Sequence, residues 1–218
     1  MVRPVAAAAP AEVSGTGTSG SAAIPVTPGF TGTLTTAVDG LLPADRRAPT
    51  LQPSGPGFDS TAPAVSTRAT KETVTIPAGT TVARHATFHA DFAAGTDVDI
   101  YLYQAGTANL VASSAGGSSE ERIQLEKPTA GTYDLYVVLF GAAPQQASVT
   151  VPTYLWALTG TAAGNLTATP ASQAVQAGVP VTVTATWNGL TAGQRYLGRI
   201  SYGAGGTAAG GTFVQVTT

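Results

Sequence analysis

Two carboxylates one residue apart, Asp97 and Asp99 in "GTDVDIYLYQAG", are the chain's most conspicuous candidates for chemistry. On a strand they share one face with backbones about 6.6–7 Å apart. That separation overlaps the ~6.5–9.5 Å of an inverting glycosidase pair, but such a pair must flank a substrate cleft. Two neighbouring positions on one strand face make no cleft, so acid catalysis is disfavoured. Calcium is the metal the spacing admits, since it takes about 6–8 oxygens, commonly from Asp, Glu and backbone carbonyls. Asp59, Glu72 and Asp91 are the nearby residues that would complete such a site. The competing reading makes both aspartates hydrogen-bonded anchors of neighbouring loop backbone, and this one is preferred; no cofactor is expected. Tyr101 and Tyr103 follow on the same face. Exposed rings there would suit protein or glycan contact, whereas cross-strand aromatic pairing is the favoured alternative.

Other constellations are weaker. His85 and His89 stand four apart in "TVARHATFHADF". On one strand that puts them about 13 Å apart, too far to share an ion. Ser19 in "GTSGSAA" resembles the opening of a nucleophile turn, but Gly20 follows it and Ile24-Pro25 interrupts any helix. Neither G-x-S-x-G nor G-x-x-x-x-G-K-[ST] occurs, and "GAGGTAAGG" at 203–211 lacks the lysine of a phosphate loop. It reads as a long flexible hairpin loop.

These residues must be positioned by strands. Charged residues make up only 10% of the 218, against roughly 25% in ordinary soluble domains. Gly (26) and Pro (15) are abundant, and the chain is rich in Thr and Val but poor in Lys, Glu and Leu, which favours short strands joined by turns. A net charge of −2 argues against nucleic acid or an acidic membrane surface as partner. With no cysteine there is neither a disulfide framework nor a thiolate site. No apolar run reaches the ~18 residues of a membrane span. "MVRPVAAAAPAEV" makes a poor signal peptide, so an export signal is expected upstream.

Alternation is cleanest in "DVDIYLY", which sets Val98, Ile100 and Leu102 inward, opposite the Asp and Tyr positions. Similar runs recur every 8–15 residues from residue 72 onward, the pattern of a β-sandwich. The expected fold is all-β, with two β-sandwich units of jelly-roll or immunoglobulin-like type. Residues 1–23 read as a flexible lead-in, 24–71 as strands plus a Pro/Gly-rich linker, 72–159 as one sandwich and 160–218 as a second. Four strands in the last 55 residues bury little area. Residues 24–40 are therefore an open choice as its completing strands, with the central block inserted.

Four segments, "ETVTIPAGT", "DVDIYLYQAG", "NLVASSAGGSSEERIQL" and "PTAGTYDLYVVLF", resemble a bacterial pre-peptidase C-terminal domain. The landmarks are Asp97-Val98-Asp99-Ile100-Tyr101-Leu102, Leu110 to Ser114, and Ala130-Gly131-Thr132-Tyr133. The flanks, "IPVTPGFTGTLTTAVDGLLPADR" and "NLTATPASQAVQAGVPVTVTATWNGLTAGQRYLGRISYG", are similar to the non-catalytic C-terminal region of secreted actinobacterial subtilisin-like serine proteases. A fibronectin type III-like sandwich is typical there, and some similar domains bind calcium near the D-x-D strand. The resemblance implies a secreted accessory region whose partner is the parent's catalytic domain, supporting its stability, folding or substrate docking. The chain itself carries no D-[ST]-G, H-G-T-H or G-T-S-M-A-x-P motif, so no enzymatic activity is expected of it. The alternative is a stand-alone extracellular adhesion or glycan- or protein-binding module.

Overall fold

The computed structural model describes residues 5–218, whose regular elements are all strands apart from one 3-10 turn. The chain divides into two compact units: residues up to Ala44 with Leu158–Thr218, and Asp45–Ala157. The first unit begins with β1 (Ala7–Ala8), β2 (Glu12–Thr16), β3 (Gly20–Pro28) and β4 (Gly32–Pro43). The second contains β5 (Asp45–Arg47), β6 (Thr50–Leu51), β7 (Ala69–Ile76), β8 (Val82–Ala86), β9 (Asp97–Gln104), β10 (Leu110–Ser114), β11 (Arg122–Glu126), β12 (Gly131–Gly141), β13 (Val149–Thr150) and β14 (Thr153–Leu158). The chain then returns to the first unit through β15 (Leu166–Thr169), β16 (Ser172–Val175), β17 (Val181–Trp187), β18 (Arg195–Ala204) and β19 (Thr207–Thr217).

In the first unit, sheet β1-β3-β17-β15 accompanies sheet β16-β4-β18-β19-β2. Ile24, Leu34, Leu41, Val183, Trp187, Ile200 and Val214 form its core. The strands around residues 24–40 thus belong with the last 61 residues. β3 pairs along β17 (Val26 opposite Val181, Gly20 opposite Trp187), and β4 pairs along β18. Packing requires this arrangement, because β15–β19 alone would leave β17 and β18 as bare edges over a half-built core.

Residues 1–4 of the expected flexible lead-in lie outside the described residues, and much of the rest is strand, in β1, β2 and the start of β3. β2 adds to β19 in parallel, from Glu12 opposite Phe213 to Thr16 opposite Thr217. Gly15 and Gly20 leave room for the Trp187 indole, where a Cβ would come within 2.3 and 2.6 Å of ring atoms respectively. The Trp187 indole N–H donates to the Gly17 carbonyl at 3.2 Å. Residues with little side chain read as flexible in one dimension; here they are the floor of a tryptophan pocket. The expected hairpin loop at 203–211 is also shorter than its composition suggested. β18 runs to Ala204 and β19 starts at Thr207, leaving only Gly205 and Gly206, both with positive φ, at the turn.

The second unit pairs sheet β10-β9-β12-β7 with sheet β11-β8-β14-β5, and β6 and β13 form a small ladder. Val74, Ile76, Ala83, Val98, Ile100, Leu102, Leu135, Val137 and Leu155 are among the side chains of its core. β12, whose continuous apolar run Val137–Phe140 suits a central strand, lies between β9 and β7, although Phe140 itself is exposed. This unit starts well before residue 72. β5 pairs with β14 and β6 with β13, so part of the Pro/Gly-rich linker is built into the sandwich.

Candidate functional site

The inward face of β9 is the one alternation specified: Val98, Ile100 and Leu102 are at most 1% exposed. The opposite face is not a wet surface. Tyr101 stands directly across from Tyr136 of β12 in register, and the cross-strand ring contact runs between Tyr136 and Tyr103, centroids 5.5 Å apart. Phe58, from the segment between β6 and β7, lies 4.9 Å from the Tyr101 ring and 5.4 Å from Tyr136. The Tyr103 hydroxyl donates to the Ser60 carbonyl at 2.9 Å, and Tyr136 donates to the Pro63 carbonyl at 3.3 Å. Residues 58–63 therefore cover this face, and Tyr103 is fully buried. Tyr103 is not an exposed binding surface: its ring is roofed by a segment whose composition suggested a linker. Tyr101 remains half-buried and lines a recess of about 330 Å³ with Phe58, Arg68, Asp99 and Phe140.

Asp99 is buried under the same cover. Burial first, then the neighbouring Asp97 and Glu121 charges, push its carboxyl up to about 6, against a smaller opposing effect of the Tyr101 hydroxyl that donates to Oδ2 at 3.3 Å. Burial also raises Asp97, whose Oδ1 has no hydrogen-bond partner. Neither aspartate takes a loop-backbone N–H, contrary to the expected anchor role. That role falls to other carboxylates. Glu121 accepts from the Gly116 N–H at 2.9 Å and from the Ser114 hydroxyl, and Asp134 accepts from the Gly106 N–H at 2.9 Å. Alternation cannot reveal these, because each partner arrives from a separate strand or turn. As for calcium, no three His, Cys, Asp or Glu side chains among the described residues are grouped to hold a metal ion. Asp59 is occupied with its own turn, accepting from the N–H and hydroxyl of Thr61, while Glu72 lies 3.6 Å from the Arg47 guanidinium.

The two histidines part company. β8 ends at Ala86, and His89 lies in a 3-10 turn (His89–Asp91) rather than on a continued strand. Its Nδ1 is 3.0 Å from the Ser119 hydroxyl, and its backbone N–H donates to Glu120. A serine–histidine pair can activate a nucleophile. Ser119, however, is fully buried, so no carbonyl can reach its oxygen, and the contact serves to fasten the turn. Ser19 sits in the bend between β2 and β3, and a strand follows it, not the helix a subtilisin-like nucleophile would open.

His85 occupies a different environment. It shares the inward face of β8 with Ala83, is 4% exposed, and neither ring nitrogen has a hydrogen-bond partner. Burial, then the nearby Arg47 charge, lower its pKa to about 4, so the ring is neutral at physiological pH. It lines a cavity of about 260 Å³ with Val74, Ile76, Ala83, Leu155 and, at the rim, Asp45 and Arg47. In the sequence the strand spacing from His89 only ruled out a shared ion, and nothing local marks His85 as lining a cavity.

Comparison with protein families and with curated proteins found no match for this chain. No helix among the described residues is long and apolar enough to cross a membrane.

Proposed function

We propose that this chain is a non-catalytic accessory region of a secreted subtilisin-like serine protease, supporting the stability, folding or substrate docking of a catalytic domain encoded upstream. One observation carries the reading. The four segments that resemble a pre-peptidase C-terminal domain supply β7, β9, β10 and β12, which make up one whole sheet ordered β10-β9-β12-β7, and also β11 of the facing sheet. Motifs scattered over about 70 residues would have no reason to assemble this way if each matched by chance. The flanking segments that resemble the rest of such a C-terminal region build the other unit. The surroundings of Ser19 and of Ser119 argue against a catalytic serine in the chain itself.

The test is the reading frame upstream of Met1. Continuation into D-[ST]-G, H-G-T-H and G-T-S-M-A-x-P segments is the expected result. A complete signal peptide immediately before Met1 would instead sink the protease assignment and favour a self-standing module. Purified chain should also show no peptide-bond turnover, and reproducible turnover abolished by Ser19→Ala would reverse the non-catalytic reading.

A further inference from the structure

The cavity around His85 is unlike the rest of either core. Single unpartnered atoms occur elsewhere among the buried side chains, but His85 leaves two, and the Trp156 indole N–H on the same cavity is unpaired as well. By contrast Arg84, 1% exposed on the outer face of the same strand, donates to Gln124 at 2.6 and 3.0 Å. One position away along β8, His85 is buried just as deeply with both nitrogens unpaired. An unsatisfied buried donor or acceptor is costly, because it gives up its hydrogen bond to water without replacing it. Such an exception within an otherwise satisfied strand points to a group that arrives from outside.

We propose that this cavity is a binding site for a compact, neutral aromatic molecule of the phenol or indole class, oriented by a hydrogen bond between its single O–H or N–H and the His85 imidazole. The site goes beyond the accessory role proposed above and does not depend on it. Size sets the first limit. A cavity of 260 Å³ exceeds the ~150 Å³ that is enough for benzene and falls below the ~300 Å³ at which drug-sized sites begin. The walls set the second, because Val74, Ile76, Ala83 and Leu155 offer only apolar surface. A neutral imidazole, with one donor and one acceptor nitrogen, and the unpaired Trp156 indole N–H are the unpartnered polar groups that line it.

The rim sets the third limit and excludes anions. Arg47 is the cation there, but its guanidinium donates to Asp45 Oδ2 at 3.0 Å and to the Thr73 carbonyl at 3.0 Å, and lies 3.6 Å from Glu72 Oε2. Two carboxylates thus outweigh the one positive charge at the entrance. The entrance itself follows from topology. β5 and β7 are outermost strands of their respective sheets, and β5 is only three residues long. The sandwich is therefore left open at this edge, and the cavity reaches solvent without movement of the sheets.

The decisive experiment titrates the intact chain with p-cresol, toluene and 4-hydroxybenzoate near neutral pH, following the His85 imidazole ¹⁵N resonances and Val74 and Ile76 methyl signals. The expected result is saturable binding of p-cresol, about 3- to 10-fold tighter than toluene, the advantage of one net hydrogen bond. The anion 4-hydroxybenzoate should bind more weakly than p-cresol. In His85→Leu the preference for p-cresol over toluene should vanish while toluene still binds. A cavity that holds only water gives no saturable response to p-cresol, and that result overturns the proposal. Toluene equalling p-cresol in the unaltered protein overturns it as well, and needs no variant to fold.

Discussion

Asn165 clamps the backbone of Leu41 from both sides: the Leu41 N–H donates to Asn165 Oδ1 at 2.9 Å, and Asn165 Nδ2 donates to the Leu41 carbonyl at 3.0 Å. The two residues are 124 apart in sequence. Around them the Gly40 N–H donates to the Thr161 carbonyl at 3.0 Å, and the Asp39 carboxylate accepts from the Gly160 N–H at 2.8 Å. These contacts join the strand that leaves the first unit to the segment that re-enters it.

Asn165→Ala should therefore destabilise the first unit by about 1–3 kcal/mol, since Leu41 is fully buried and two backbone groups lose their partner. The two tryptophans allow a clean reading, because Trp187 reports on the first unit and Trp156 on the second. In a Trp156→Phe background, the urea transition followed by Trp187 fluorescence should move to lower denaturant. An unchanged midpoint would show the clamp to be energetically idle.

Gly15→Ala should cost about 1–3 kcal/mol or more, because its Cβ would meet the six-membered ring of Trp187 at 2.3–2.4 Å. Near-ultraviolet circular dichroism of Trp187 is the readout. Native signal and stability in this variant would mean that β2 detaches without consequence, as a flexible lead-in would.

Phe58→Ala should uncover the Tyr101–Tyr136 pair and lower stability by about 1–3 kcal/mol. It should also speed proteolytic cleavage within residues 52–66, where the cover is held by the Tyr103 and Tyr136 hydroxyls. Equal cleavage rates in variant and parent would contradict the cover's dependence on Phe58.

His85 and Asp99 impose opposite pH dependences. His85 has an ordinary value of 6.5 and about 4 in the fold, so its contribution is fully present above pH ~6.5. It is lost progressively as pH falls toward 4, by up to about 3 kcal/mol at one kcal-scale step of ~1.4 per unit. Asp99 is raised from 3.8 to about 6, so its ionised form penalises the fold above pH 6 and the penalty is relieved between 6 and 3.8. Asp99→Asn should raise the melting temperature at pH 7 and have little effect at pH 4. His85→Leu should flatten the acid-side decline. Melting temperatures from pH 4 to 8 for each variant check both signs.

Calcium at millimolar concentration should raise the melting temperature by no more than a few degrees, since Asp97 and Asp99 lack the further oxygens a tight site needs. A rise several-fold larger, lost in Asp97→Asn, would show that the two aspartates gather ligands on binding.

Much of the fold was legible locally. The period-2 pattern of "DVDIYLY" specified which β9 side chains face the core, because one buried face imposes alternation directly on sequence. The apolar run in β12 marked its central position for the same reason. Composition alone, poor in charge and rich in Thr, Val and Gly, determined an all-β chain. What needed the tertiary structure were relationships between distant segments. Gly15 and Gly20 became the floor under Trp187 only when β2 joined β19. Residues 58–63 became a roof over Tyr101 and Tyr103 because two ring contacts and two hydroxyl bonds close a loop that carries no periodicity of its own. His85 became a buried imidazole without partners only when β5 and β7 met across a sandwich edge. Local pattern encodes which way a side chain points, whereas long-range packing decides what it meets there, and for this protein the candidate chemistry resides in the second.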